Sequence, residues 1–288
     1  MRLSTGLMAR GRMGQSDLLT TIGRSAEAAG LHRVWFGDHV VYPVEYAPNY
    51  PFGNGRLHYN PASPQLDVVV AMSWLLSRTE RIGVGTLVMV IGMRQPVWLA
   101  KQLASLDQLS GGRLTLGVGV GWMREEYEAL GVDPARRGAR TDDYVQVLRK
   151  LWSEETPSHD SEFASFPPLY CNPKPTGAGG IPVWIGGSGP AAWDRVARLG
   201  DGWLGFGSTV EQIAEARTEI ARRAEVLGRD PAGIGTATTV TGSGRAEVVD
   251  RLNQLRDAGL TEAIIPVEGK SPEAAADWIQ AIPDLLRG

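Results

Sequence analysis

A chain of 288 residues, 43% of them hydrophobic, can enclose a substantial core and is too apolar for an extended disordered state. Its 29 lysines and arginines against 32 acids leave a net charge of −3, which gives no electrostatic case for a nucleic acid or a membrane surface as partner. No apolar run reaches about 18 residues, Met1 to Arg10 lack the layout of a signal peptide, and the single cysteine, Cys171, excludes an internal disulfide and fits a reducing cytoplasm.

Arg2 to Met8 reads as a first strand, followed by a glycine-rich turn. Ser16 or Asp17 can cap a helix with Leu18, Leu19, Ile22, Ala26 and Ala29 on one face, stopped by Gly30. Strand two, Arg33 to Phe36, runs straight into Asp38 and His39. The segment Val40 to Pro64 is proline-rich and carries Tyr42, Tyr46, Tyr50 and Asn54-Gly55; a loop this long after a strand is usually functional. A helix from Leu66 to Ser77 precedes strand three, Ile82 to Met89, and Pro96 opens a helix bearing Leu99, Leu103 and Leu106. After the Gly111-Gly112 turn, Leu114 to Val120 is strand four, apolar on both faces as a buried parallel strand is. The next helix covers Thr141 to Trp152.

Ser153 to Pro182 is an irregular excursion, expected as an insertion over the mouth of the fold. Beyond it come strand Val183 to Ile185, helix Pro190 to Leu199, the short strand Gly202 to Leu204 and helix Val210 to Leu227. Strand Ile234 to Val240, helix Glu247 to Ala258, strand Ala263 to Pro266 and helix Pro272 to Leu286 complete the chain. Eight strand-then-helix units demand parallel pairing with right-handed crossovers. In this length they close most simply into a single-domain (β/α)8 TIM barrel over residues 1–288, with the insertion at about 153–182 above its C-terminal mouth.

Several familiar chemistries fail on the sequence. Gly117, Gly119 and Gly121 imitate a dinucleotide fingerprint, but Trp122 stands at the last position and the run follows the fourth strand. Gly186-Gly187-Ser188-Gly189-Pro190 departs from a nucleophile elbow at Pro190, and all four histidines, His32, His39, His58 and His159, precede Ser188, against the hydrolase order. Those histidines have no metal-ligand spacing, so no metal is expected.

What remains suits a flat, phosphate-bearing cofactor at a barrel mouth. Asp38 and His39 end a buried strand, where polar side chains face the ligand, and a carboxylate beside a histidine can hold one tautomer. Gly187, Ser188 and Gly189 lead from a strand into a helix, a place where backbone N–H groups receive phosphate. Thr86, Leu87 and Val88 end strand three as an apolar ledge, and the glycines at 117, 119 and 121 leave room for a planar ring. Arg137 and Arg140 can neutralise a phosphate or a cofactor carboxylate.

The ordered blocks Ala28 to His39, Ile82 to Thr86, Leu99 to Leu114, Gly117 to Glu126, Arg137 to Asp143, Pro182 to Ser188 and Gly200 to Trp203 resemble the bacterial luciferase-like superfamily, in particular its members that use the deazaflavin coenzyme F420. The resemblance spans nearly the whole chain. It implies a deazaflavin or flavin ring at the C-terminal mouth, His39 as proton donor or acceptor near the ring's reactive carbon, and Asp38 beside the ring. It implies that the ring rests on a bulge with a cis peptide at Leu87-Val88, that Gly187, Ser188 and Gly189 take the phosphate, and that the protein is a homodimer. The F420-dependent sugar-phosphate dehydrogenases look similar but carry a tryptophan and a glutamate where this chain has Val44 and Trp122, which argues against a sugar phosphate. Trp35 and Trp122, with the tyrosine-rich loop, suggest an apolar or aromatic substrate pocket.

The expected function is therefore F420-dependent hydride transfer to or from a small organic substrate. The alternatives are a reduced-FMN monooxygenase on the same barrel and a catalytically silent cofactor-binding barrel.

Overall fold

The computed structural model describes residues 1–51, 55–57 and 59–286, so Asn54 and His58 lie outside the described residues. Eight parallel strands close into a barrel: β1 (Arg2–Leu7), β2 (Arg33–Phe36), β3 (Gly83–Thr86), β4 (Leu114–Val118), β7 (Val183–Gly186), β8 (Gly202–Gly205), β9 (Gly235–Thr239) and β10 (Glu262–Pro266). The remaining two, β5 (His159–Asp160) and β6 (Ser165–Phe166), form a separate antiparallel hairpin, so β4 pairs directly with β7. Outside the barrel run α1 (Ser16–Ala28), α2 (Val68–Leu76), α3 (Pro96–Ser110), α5 (Arg137–Ser153), α6 (Pro190–Leu199), α7 (Val210–Val226), α8 (Arg245–Asp257) and α9 (Pro272–Ala281), with the short α4 (Arg124–Ala129) between β4 and α5. This is a (β/α)8 barrel. Among the described residues no helix is long and apolar enough to cross a membrane.

Strand residues alternate between two apolar clusters. Val34, Phe36, Leu114, Leu116, Val118, Val183, Ile185, Ala263 and Ile265 face outward and pack under the helices. Trp35, Trp184, Leu204, Ala237 and Ile264 face inward and fill the barrel. The two inward tryptophans fit because glycines flank them in register: Gly6 and Gly85 beside Trp35, Gly117 and Gly202 beside Trp184. A methyl at Gly85 would lie 2.6 Å from the Trp35 ring, and one at Gly202 would lie 2.3 Å from that of Trp184. Trp35 is thus barrel core with no exposed surface, rather than part of a substrate pocket.

The floor of the barrel is polar and closed. Glu262, 1% exposed, accepts from Ser4 Oγ at 2.6 Å and from Trp35 Nε1 at 2.7 Å, with Arg33 Nε 3.6 Å away. Arg33 lies over the rings of Trp35 and Trp184 and donates to Thr115 Oγ1 at 3.0 Å. Each buried charge there finds an opposite charge or a hydrogen bond, as an interior of low polarity requires.

The excursion 154–182 does not cap the mouth. It climbs the outside of α5 and returns between α5 and α3, because its backbone and polar groups bond to those helices. His159 Nε2 donates to Asp143 at 2.9 Å and Lys174 Nζ donates to Leu151 O at 2.9 Å. Gln108 Nε2 donates to Lys174 O at 2.9 Å, while Asp107 accepts from Thr176 N at 2.8 Å. Only its tip reaches the mouth end of α5, where Arg136 pairs with Glu162.

Candidate active site

The strand ends and the loops after them build the site at the C-terminal mouth. Strand three ends at Thr86 rather than Met89, because the chain leaves the sheet in a bulge. The Leu87–Val88 peptide is cis, as the resemblance implies. Pairing resumes through Met89, whose N–H donates to Gly117 O at 2.7 Å and whose carbonyl accepts from Gly119 N at 2.9 Å. The strand-four glycines make space for this bulge. A methyl at Gly117 would lie 1.8 Å from Thr86 O, one at Gly119 2.3 Å from Val88 Cγ2, and one at Gly121 2.9 Å from Val90 Cγ1. Gly186 does the same from the other side, with Val88 Cγ1 at 2.7 Å. Leu87 and Val88 therefore sit half-buried over Trp35 and Trp184 as an apolar platform at the barrel mouth.

Of the residues expected around a cofactor, Leu87 and Val88 form this platform. Thr86 and Asp38 have side chains already engaged within the protein. The Thr86 hydroxyl is fully buried and donates to Gly117 O at 2.7 Å. Both Asp38 oxygens receive the Arg94 guanidinium, at 2.8 and 2.9 Å, and its side chain is 2% exposed. Burial pushes the Asp38 carboxyl up, and the paired Arg94 pulls it back. Arg140 donates to Asp133 O at 2.5 Å and lies over Phe163, whereas Arg137 is exposed with its Nε 3.2 Å from Gly121 O, the better placed of the two for an anion at the mouth. Gly187 and Gly189 take positive φ values of 124° and 83°, so the turn from β7 into α6 needs glycine at both places. Gly187 and Ser188 are exposed, and the Gly187 carbonyl accepts from Trp203 Nε1 at 2.7 Å.

His39, three residues past the end of β2 at the same mouth, has a partner that the sequence reading had not assigned. Its Nδ1 is 2.8 Å from Oε2 of Glu126, a residue 1% exposed at the start of α4. The other oxygen, Oε1, accepts from Val40 N at 2.6 Å and Val41 N at 3.3 Å. A carboxylate beside the histidine is thus present, supplied by Glu126. Trp122 itself stands edge-on to His39 at 6.0 Å, to Tyr46 at 6.3 Å and to Tyr50 at 5.1 Å. Tyr42 packs against His39 at 4.6 Å, and its hydroxyl donates to Gln65 at 2.9 Å beside that of Tyr59. Burial raises the Tyr42 phenol far above the usual range, so it stays protonated. The half-buried rings of Tyr42, Tyr46, Tyr50 and Trp122 form an aromatic wall around the histidine. Among the described residues no group of three or more His, Cys, Asp or Glu side chains gathers as a metal site.

The arrangement can do two things chemically: support a flat ring on an apolar platform, and hold or move a proton beside it. Its fit to a flavin or deazaflavin is the shape of that platform together with the exposed glycine turn at 187–189. Comparison with known proteins gives the family. An uncharacterized protein of Mycobacterium tuberculosis is 31% identical over 265 residues, covering 91% of this chain and 92% of its own. The FMNH2-dependent dimethylsulfone monooxygenase of Pseudomonas fluorescens is 28% identical over 230 residues, covering 74% of this chain and 61% of its own. An F420-dependent secondary alcohol dehydrogenase, solved with an F420-acetone adduct, superimposes with a TM-score of 0.80 at 16% identity over 100% of this chain and 99% of its own. The sequence profile of the luciferase-like monooxygenases matches residues 6–283, and the chain belongs to that family.

Proposed function

We propose that the protein is a coenzyme F420-dependent oxidoreductase that passes a hydride between the deazaflavin and a small, apolar or aromatic organic substrate. The observation that carries this reading is His39, tied through Nδ1 to a buried carboxylate within an aromatic wall, at the same barrel mouth as the Leu87–Val88 platform. Bound F420 supplies hydride transfer at its ring carbon. The protein's own groups do the rest. Leu87 and Val88 support the ring, the turn at 187–189 with Arg137 meets the anionic tail, and Trp122 with the tyrosine loop excludes water from the substrate. His39 gives the proton to the substrate oxygen as the hydride arrives at carbon, or takes it as the hydride leaves.

A reduced-FMN monooxygenase is the second reading, favoured by the relation to the dimethylsulfone enzyme. Titration of the purified apo-protein with F420 and, separately, FMN, followed by ligand fluorescence, decides between them. Binding of F420 with negligible FMN binding is the expected result; a preference for FMN overturns the hydride-transfer reading. Cytoplasmic location and a homodimer belong to the same proposal, the latter tested by sedimentation of the purified protein.

A further inference from the structure

We infer that Glu126 is a positioning residue that keys the tautomer of His39 and seats the aromatic substrate loop with the same carboxylate. The inference rests on His39 as the proton-handling group and says how that group is kept ready.

The argument is an accounting of donors and acceptors. Glu126 comes from α4, and its carboxylate meets His39 and the loop after β2 across 87 positions of sequence. Its Oε1 accepts two backbone N–H groups, from Val40 at 2.6 Å and Val41 at 3.3 Å. A backbone N–H only donates, so the carboxylate acts there as acceptor. Oε2 then accepts from His39 Nδ1, at 2.8 Å, which places the neutral ring's proton on Nδ1 and leaves Nε2 with its lone pair. Nε2 is the nitrogen available to a substrate. The side chain next to Glu126 extends the grip: Glu125 Oε1 accepts from Ala47 N at 2.7 Å, on the stretch that carries Tyr46 and Tyr50 toward Trp122. Two adjacent carboxylates of α4 thus hold three backbone N–H groups of the segment that walls the histidine.

The consequence is a coupling. An arrangement of the 40–51 segment that lets go of Glu126 also frees the tautomer of His39, so a seated aromatic wall and a correctly protonated histidine occur together.

A glutamine at this position separates the two duties, because its amide has one acceptor and one donor end. With the amide oxygen on Val40 and Val41, its NH2 faces Nδ1 and forces the Nε2–H tautomer. With the oxygen on Nδ1, its NH2 confronts two backbone N–H groups and the loop is released. The test uses the apo-protein at alkaline pH. Nitrogen-15 NMR of labelled histidine, assigned with His39→Asn, reads the tautomer, and chymotrypsin cleavage of the Tyr46–Ala47 bond reads the loop. Wild type is expected as Nδ1–H and protected. Glu126→Gln is expected to switch to Nε2–H or to be cleaved about tenfold faster in the loop, the factor for one buried hydrogen bond. Glu126→Gln with both properties of wild type overturns the inference. A wild-type His39 in the Nε2–H form overturns it whatever the variant does, including a variant that fails to fold. Neither readout involves a cofactor or turnover, so the result is independent of whether F420 or FMN is bound.

Discussion

Among the described residues the His39 ring bonds through Nδ1 to Glu126, and it lies between Tyr42 and Trp122. That leaves the opposite nitrogen as the only part of the ring suited to proton transfer. His39→Ala is expected to lower turnover by about 10²–10⁴-fold, the range for a general acid or base, while leaving cofactor affinity within about twofold. Steady-state rates and fluorescence titration check it; equal losses in both would make His39 a binding residue. Arg94→Met should act on stability, because it leaves the Asp38 carboxylate buried without its bidentate partner. A loss of about 3–5 kcal/mol in chemical unfolding is expected. Asp38 and His39 were legible because they end an apolar strand. Glu126 was not: 87 positions separate it from His39, in a segment with no clear period. Its one sequence signal was an acidic pair shortly after the glycines that end strand four. Trp35 was misplaced for a simpler reason. It shares the inward face of β2 with Arg33, and the two-residue alternation of a strand already puts it inside the barrel.

At the scale of elements, the bulge after β3 and the glycines of β4 and β7 are one device. Gly119→Ala would bring a methyl to 2.3 Å from Val88 Cγ2, and the platform must move. The expected outcome is a lower melting temperature and cofactor affinity weakened by at least about tenfold, against an unchanged Gly179→Ala control, where a methyl meets nothing within 4 Å. The regular elements were readable from periodicity; departures occurred where tertiary bonds redirect the chain. Strand three was expected to reach Met89 and stops at Thr86, because Met89 bonds to β4 from beyond the bulge. The helix expected from Thr141 begins at Arg137, and α4 was not foreseen at all, being a six-residue helix with Glu126 and Tyr127 buried. The excursion 154–182 was recognised as irregular, but its side had to be learned from its bonds to α3 and α5.

For the whole molecule, alternating units and length were sufficient to specify the closed barrel, while nothing in the linear pattern announced its charged floor. Glu262→Ala is expected to cost about 3–5 kcal/mol, since it strands Arg33 and leaves Ser4 and Trp35 without their acceptor. The same floor is expected to be acid-sensitive. His32 Nε2 lies 2.9 Å from the Arg2 guanidinium and 2.5 Å from that of Arg33, so it is neutral and accepts. Burial, then the charges of Arg33 and Arg2, push its titration down to about 4 from 6.5. The unfolded chain takes up that proton first, so the stability present at neutral pH drains as pH falls from 6.5 toward 4. His32→Gln should flatten the fall in melting temperature between pH 7 and pH ~4.5; an equally steep fall would assign the acid sensitivity to carboxylates instead. The sealed floor also sets the traffic. With Trp35 and Trp184 filling the axis, nothing crosses the barrel from below, and the deeper guest must arrive first and depart last through a single doorway. On the proposed arrangement the coenzyme is that deeper guest. Turnover then follows a compulsory order, visible as product inhibition that is competitive between the two coenzyme forms and mixed between substrate and product.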